Sequence, residues 1–258
     1  MNDQPDATFQ QRPGHQRKQG ERQVDQQILR EQHAADQRNP KPIDTITYKD
    51  LRELSYMGAT VLHEDAIFPV RFAGIPINIK NTNDRTAPGT MIVAQTDVVD
   101  SDRVITGIAG KRGFSVISIE KDMMNAEVGF GRKVLQAFEE YGISFEHMPS
   151  GIDTMTVFVH QDEFMHKEQQ VVAALHRLAN PDVIDIESDL ALIAVVGRGM
   201  KSTRGTAGRI FSALAHRNVN VKMIDQGSSE LNIIIGVTND DFEIAIKAIY
   251  DIFVESQL

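Results

Sequence analysis

Residues 114–140 read FSVISIEKDMMNAEVGFGRKVLQAFEE, and residues 190–216 read LALIAVVGRGMKSTRGTAGRIFSALAH. A shift of 76 residues lays the first stretch on the second without a gap, and the match continues to residue 159 in the first copy and residue 235 in the second. Met124 falls on Met200 and Gly129 falls on Gly205. The chain therefore contains an internal duplication, which is typical of proteins built from repeated structural units.

Each copy has the pattern strand, helix, two strands, helix. In the first copy we predict strands over residues 104–109 and 114–119, joined by a glycine-containing turn at 110–113. A helix over 128–141 and a closing helix over 163–178 follow the helical spacing of apolar residues. Short links between such elements favour an antiparallel sheet with helices on one face, the ferredoxin-like plan. The predicted fold class is therefore α+β, with two such modules in tandem.

Composition limits the possible functions. The chain has 258 residues, of which 41% are hydrophobic, enough for one or two domains with real cores. A net charge of −9 argues against a nucleic-acid partner, and the absence of cysteine excludes disulfides and thiolate metal sites. Because no apolar run reaches about 18 residues and no secretion signal is present, we expect no membrane partner and a cytoplasmic location.

The first 96 residues divide into two parts. Residues 1–38 are rich in glutamine and poor in apolar spacing, so we predict a disordered tail. In residues 39–96 a capping box, with Thr47 as the cap and Asp50 three residues later, predicts a helix start. A second helix and an alternating strand follow, but most of a sheet is missing. This segment looks like the end of a larger α/β domain.

The residues show binding geometry and no catalytic centre. The loop at 197–205 is glycine-rich and follows a strand, but its glycine spacing fits neither a P-loop nor a dinucleotide fingerprint. It can be an anion-binding loop at a helix start or a plain connection, and both interpretations stay open. The histidines have no metal-ligand spacing, and no nucleophile motif is present. We therefore predict no catalytic residue and no metal site.

Several ordered motifs closely resemble the aspartokinase family. They lie at residues 53–63, 75–83, 88–90, 122–131, 147–153, 195–197 and 224–233. The resemblance covers about residues 39 to 255 and is greatest to lysine-sensitive members. It implies a tail at 1–38, the C-terminal remnant of an amino-acid-kinase domain at 39–96, a first ACT module at 104–180 and a second at 181–258. The tail has no counterpart in the family, and one hypothesis is a truncated or rearranged gene, which the sequence of the upstream DNA would test.

The resemblance also implies an activity for the whole enzyme. The family phosphorylates the side-chain carboxylate of aspartate with ATP and magnesium, the first step towards lysine, threonine and methionine. Little of the apparatus for phosphoryl transfer is found in this chain, and Thr60 stands where many relatives have lysine. We therefore expect no cofactor in this chain and no activity by the chain alone.

In the family, ACT modules pair and bind a feedback amino acid between them. Helix-start amides would take its carboxylate, while Glu146 and Asp153 would take an ammonium group, which favours lysine over threonine. Lys222 stands at the position of Glu146 in the second copy, so that copy is predicted to serve a homodimer contact. Residues 104–109 are expected to pair with the second module. Carried over by position, the effector site comprises Met124, Asn125, Gly129, Phe130, Gly131, Ser144, Phe145, Glu146, Ser150, Gly151, Ile152 and Asp153.

Three functions remain open from the sequence. The first is the regulatory, amino-acid-binding portion of an aspartokinase. The second is a fragment of the enzyme that retains its activity, and the third is a free-standing ACT regulatory subunit with no kinase partner in the same chain. Titration with lysine, threonine and methionine, together with an assay for aspartyl phosphate, separates them.

Overall fold

The computed structural model describes residues 41–59, 62, 64–84, 86–95, 104–227 and 229–255. The described residues from Pro42 onwards belong to one compact unit. The predicted tail at 1–38 and the predicted substitution at Thr60 lie outside the described residues.

The N-terminal segment forms a small three-stranded sheet with two helices. Strand β3 lies in the centre, parallel to β1 and antiparallel to β2. The Thr47 hydroxyl accepts a hydrogen bond from the Asp50 amide at 3.3 Å, so the predicted capping box is confirmed. The elements are β1 (Thr45–Thr47), α1 (Tyr48–Tyr56), α2 (Glu64–Phe72), β2 (Ile77–Ile79) and β3 (Thr90–Val93).

The duplicated region forms one six-stranded antiparallel sheet in the order β5-β6-β4-β7-β9-β8. The α+β prediction of ferredoxin-like modules is confirmed. The elements are β4 (Gly107–Glu120), α3 (Phe130–Glu139), β5 (Phe145–His147), β6 (Thr154–His160), α4 (Gln161–Met165), α5 (Glu168–Ala179), β7 (Val183–Val196), α6 (Thr206–His216), β8 (Met223–Asp225), β9 (Asn232–Thr238) and α7 (Phe242–Tyr250).

The two modules exchange strands through β4 and β7, which pair along their lengths. Gly107 lies opposite Val196 at one end, and Glu120 lies opposite Val183 at the other. The first half of β4 therefore completes the sheet of the second module, while the first half of β7 completes the sheet of the first. The predicted pairing of the strand before the first module with the second module is confirmed.

The predicted turn at residues 110–113 is wrong, because β4 runs through it as one strand. The register shifts between Arg112 and Phe114, where Gly113 adopts a φ of 87°. A one-residue bulge reverses the alternation of side chains along a strand. Ala109 before the bulge and Val116 after it accordingly pack in the same apolar cluster. Glycine supplies the backbone freedom for a bulge as readily as for a turn.

Two other predicted bounds also differ. The closing helix of the first copy, predicted over 163–178, is two helices, because Lys167 leaves the helical conformation with a φ of −124°. Its ammonium group binds the Tyr141 carbonyl at 2.8 Å, which fixes this break against the end of α3. The strand predicted to begin at residue 190 begins at Val183.

The sheet separates apolar clusters on its two faces. On β6, Val157 and Val159 pack against α3 and α5, while Phe158 between them belongs to the cluster on the other face. That second face contacts α1 through Leu51 and Leu54. Helices α6 and α7 cover the second module through a third cluster.

The sheet also curls until its two edge strands meet. His147 Nδ1 on β5 lies 2.9 Å from Asp225 Oδ2 on β8, although these strands are at opposite ends of the strand order. Within the described residues, no helix has the length and apolarity needed to cross a bilayer, and no three acidic or histidine side chains cluster as metal ligands.

Candidate functional site

The loop from β4 to α3 is held in place by its apolar side chains. Met124, in a short 3-10 turn, and Phe130, at the start of α3, are both buried in the first module's core. Between them Gly129 takes a φ of 83°, a conformation that favours glycine, and caps the helix. The loop's polar backbone is thereby presented at the surface, with Asn125 exposed.

This loop lies beside the turn at residues 150–153. The Lys121 amide donates to the Asp153 carbonyl at 2.9 Å, and the Gly151 amide closes the turn on Thr154 at 2.7 Å. A Cβ on Gly131 would lie 3.3 Å from Met155 Cε, so the helix start packs closely on β6. The structure therefore brings together two of the predicted groups, namely the helix start and the turn that carries Asp153.

An ionic cluster at the helix start was not predicted as part of the site. Glu127 accepts from Lys121 Nζ at 2.6 Å and from Lys133 Nζ at 2.5 Å. These two ammonium groups, Lys121 first, hold the pKa of the Glu127 carboxyl below its ordinary value. The alternation of lysine, glutamate and lysine between residues 121 and 133 is the sequence signal that could have indicated it. The cluster places a carboxylate between two cations beside the candidate site.

Glu146 lies apart from the helix start. Its Oε1 is 2.8 Å from His160 Nε2, and its side chain is only 8% exposed. The His160 ring stacks on Phe114 with a centroid distance of 5.0 Å, and Phe114 belongs to the sheet face opposite α3. The predicted site thus divides into a loop-and-turn group on one side and Glu146 on the other. Ser144 and Phe145, just before Glu146, are exposed, as are Ser150 and Ile152 in the turn.

The equivalent loop of the second module contacts the N-terminal segment. Arg198 Nε lies 3.2 Å from Asp50 Oδ2 of α1, and Lys222, at the position of Glu146, pairs with Glu187 at 2.5 Å. Sequence reasoning singled out the glycines of this loop but not its acidic partner, because nothing local to Asp50 indicates a contact 148 residues away.

Comparisons with known proteins agree with this architecture. A family model described as an ACT domain matches residues 193–253. Aspartokinase 3 of Bacillus subtilis is 43% identical over 216 residues, which cover 83% of this chain and 47% of that protein. The crystal structure of Clostridium acetobutylicum aspartate kinase superimposes with a TM-score of 0.80 at 52% identity, covering 85% of this chain and 51% of that one.

A more distant neighbour shares the fold alone. Aspartokinase III of E. coli, in complex with lysine and aspartate, has a TM-score of 0.65 and 21% identity, and covers 83% of this chain and 47% of that one. The chain spans about half the length of the relatives it matches. It belongs to the aspartokinase family, and what it contains is that family's ACT regulatory part.

Proposed function

We propose that the first ACT module senses a feedback amino acid, with lysine the first candidate and threonine the second, on behalf of an aspartokinase. The observation that carries this proposal is the contact between the β4–α3 loop and the turn at 150–153, where the Lys121 amide meets the Asp153 carbonyl. An amino acid offers a carboxylate and an ammonium group, which need unlike partners close together. The helix start and an acidic turn are such partners.

Lysine is favoured by the charges around the site. The amides near Gly129 and Gly131 suit the carboxylate, and the carboxylate of Asp153 on the adjoining turn suits an ammonium group. Glu146 is the second candidate for the ammonium, but it must first release His160. The lysine complex of E. coli aspartokinase III concerns a protein of 21% identity, so the proposal for this chain rests on its own residues.

Titration calorimetry of the full chain with lysine, threonine and methionine tests the proposal. We expect heat on adding lysine and an affinity about tenfold weaker or more in Asp153→Ala, because a charge-assisted hydrogen bond is lost. Glu146→Ala should weaken binding less, and Lys222→Ala should leave it unchanged. Heat from none of the three amino acids would overturn the proposal, and equal losses in Asp153→Ala and Lys222→Ala would place the site elsewhere.

A homodimer through the ACT modules is the proposed assembly. Around the candidate site Met123 is 70% and Val128 98% exposed, and Ile152 is exposed as well. Grouped apolar side chains at a surface mark protein contacts. This exposure favours the first module as the dimer surface over the second, which the sequence had suggested.

The dimer is tested by sedimentation of the full chain. Val128→Glu combined with Ile152→Glu should shift the chain towards monomer, because two charges would be desolvated at the contact. The matched control is Ile244→Glu, an exposed apolar residue on α7 of the second module. A monomeric wild type, or dissociation by the control alone, contradicts the proposed surface.

Phosphorylation of aspartate is proposed only for a complete enzyme. ATP and magnesium would be used by the catalytic part, which accounts for the length that the relatives have and this chain does not match. A purified chain that forms aspartyl phosphate from aspartate and ATP would contradict this assignment.

A further inference from the structure

Helix α1 docks on the second module through two polar contacts. Asp50 Oδ2 lies 3.2 Å from Arg198 Nε, and Asn232 Nδ2 donates to Glu53 Oε2 at 2.7 Å. Arg198 follows the end of β7, and Asn232 begins β9. Both second-module residues therefore lie at the end of the sheet where α6 starts. We call Asp50, Glu53, Arg198 and Asn232 the α1 clasp.

The clasp is built around a buried carboxylate. The Asp50 side chain is 5% exposed, and its Oδ2 also accepts from the Thr47 hydroxyl at 2.9 Å. Its other oxygen, Oδ1, is buried and has no hydrogen-bond partner. A buried carboxylate needs a cation to compensate its lost hydration. Arg198 supplies that charge, so the position of α1 depends on the loop that carries Arg198.

Apolar packing joins the same surfaces. Leu54 Cδ1 would lie 3.0 Å from a Cβ on Gly107, the first residue of β4. Leu51 and Leu54 share a buried cluster with Ala194 and Val196 at the end of β7. Helix α1 therefore contacts the beginning of β4 and the end of β7 together.

The equivalent end of the first module is open. Under the shift of 76 residues, Arg198 corresponds to Asp122 and buried Gly199 corresponds to Met123, which is exposed. The two copies thus use the same end of the module differently. In the first copy it carries the candidate effector site, and in the second it carries α1.

Two continuous strands connect these ends. Strand β4 begins against α1 and ends at Glu120, next to Lys121 of the effector loop. Strand β7 begins opposite Glu120 and ends two residues before Arg198. A displacement at the effector loop is transmitted by paired strands, which are rigid elements, to both surfaces that hold α1.

We infer that the α1 clasp is the output of the first module's effector site. The bound amino acid favours one position of β4 against β7, and that position sets how firmly Arg198 and Asn232 hold α1. The clasp residues act through α1 and do not touch the effector. This inference rests on the proposed function, since it requires an effector at the first module.

Hydrogen exchange of the full chain, followed by mass spectrometry with and without saturating lysine, tests the inference. In the wild type we expect lysine to slow exchange in residues 121–131 and to change the exchange rate of α1 amides by about threefold or more, because both report one equilibrium. In Arg198→Ala the response of α1 should disappear while the protection of 121–131 remains. Glu53→Ala, a milder change on the surface of α1, should reduce it, and the control Lys201→Ala on the same loop should not.

The outcomes separate the two proposals. Protection of 121–131 without any response of α1 in the wild type overturns the inference and leaves the proposed function standing. A response of α1 that persists in both Arg198→Ala and Glu53→Ala also overturns it. If lysine, threonine and methionine all leave 121–131 unprotected, the proposed function fails and the inference fails with it. The folded state of each variant is checked by its thermal unfolding transition.

Discussion

Replacing Gly197 by alanine should lower the free energy of unfolding by about 3 kcal/mol. An added Cβ would lie 2.5 Å from Ile105 Cα and from the Val104 carbonyl oxygen, and 2.9 Å from the Thr106 amide nitrogen. These are backbone atoms of the segment that leads into β4, so no side chain can rotate away. The Thr106 amide also donates to the Val196 carbonyl at 2.7 Å, which fixes the segment in place. Denaturant unfolding of the full chain measures the change.

Gly208→Ala is the matched control for this prediction. Gly208 lies in α6, and a Cβ there would meet nothing within 4 Å. Alanine should stabilise the helix by up to about 1 kcal/mol, because glycine is a poor helix former. If Gly197→Ala is as stable as the wild type, the contact between the second module and the segment before β4 is not as the structure has it.

Arg198→Ala should also destabilise the chain by about 3 kcal/mol, because it leaves the Asp50 carboxylate buried without its cation. Arg198 is itself 29% exposed, which puts the expected loss at the lower end of the range for buried ion pairs. Denaturant unfolding at neutral pH measures it.

A double variant distinguishes the charge from the packing. Asp50→Asn combined with Arg198→Ala removes the uncompensated charge, so it should recover at least half of the lost stability. The control Arg204→Ala lies on the same loop and is exposed, and it should change stability by less than about 0.5 kcal/mol. A double variant less stable than Arg198→Ala alone would show that Asp50 does not depend on that arginine.

Local signals predicted the elements well but not how the long strands join. The period of apolar residues indicated α3, α6 and the strands of each copy, and the glycine at 142 fits the end of a helix. Gly110 and Gly113 were interpreted as a turn, because two glycines around two basic residues are typical of one. The structure instead uses Gly113 for a bulge and places Gly110 against Phe242, where a Cβ would lie 2.5 Å from Cε2. That contact is between residues far apart in sequence, so no local pattern contains it.

The candidate site was predicted in part for a similar reason. The helix start and the turn with Asp153 are each encoded locally by glycines and polar residues, and the sheet brings them together. Glu146 depends on the irregular pairing of β5 with β6, where the register shifts between Phe145 and His147. Such a shift changes the face on which a side chain lies, and no periodicity in a three-residue strand can indicate it. His160, which pairs with Glu146, is equally unmarked in the sequence.

The exchange of strands between the modules has a consequence for how the duplication is retained. Half of β4 belongs to the sheet of the second module, and half of β7 belongs to the sheet of the first. Either module separated from the other would lose a strand and expose an unpaired edge, which invites aggregation. The pair therefore folds and unfolds as a single cooperative unit, and natural selection can neither delete one copy nor transplant it to another gene without damaging the copy that stays behind.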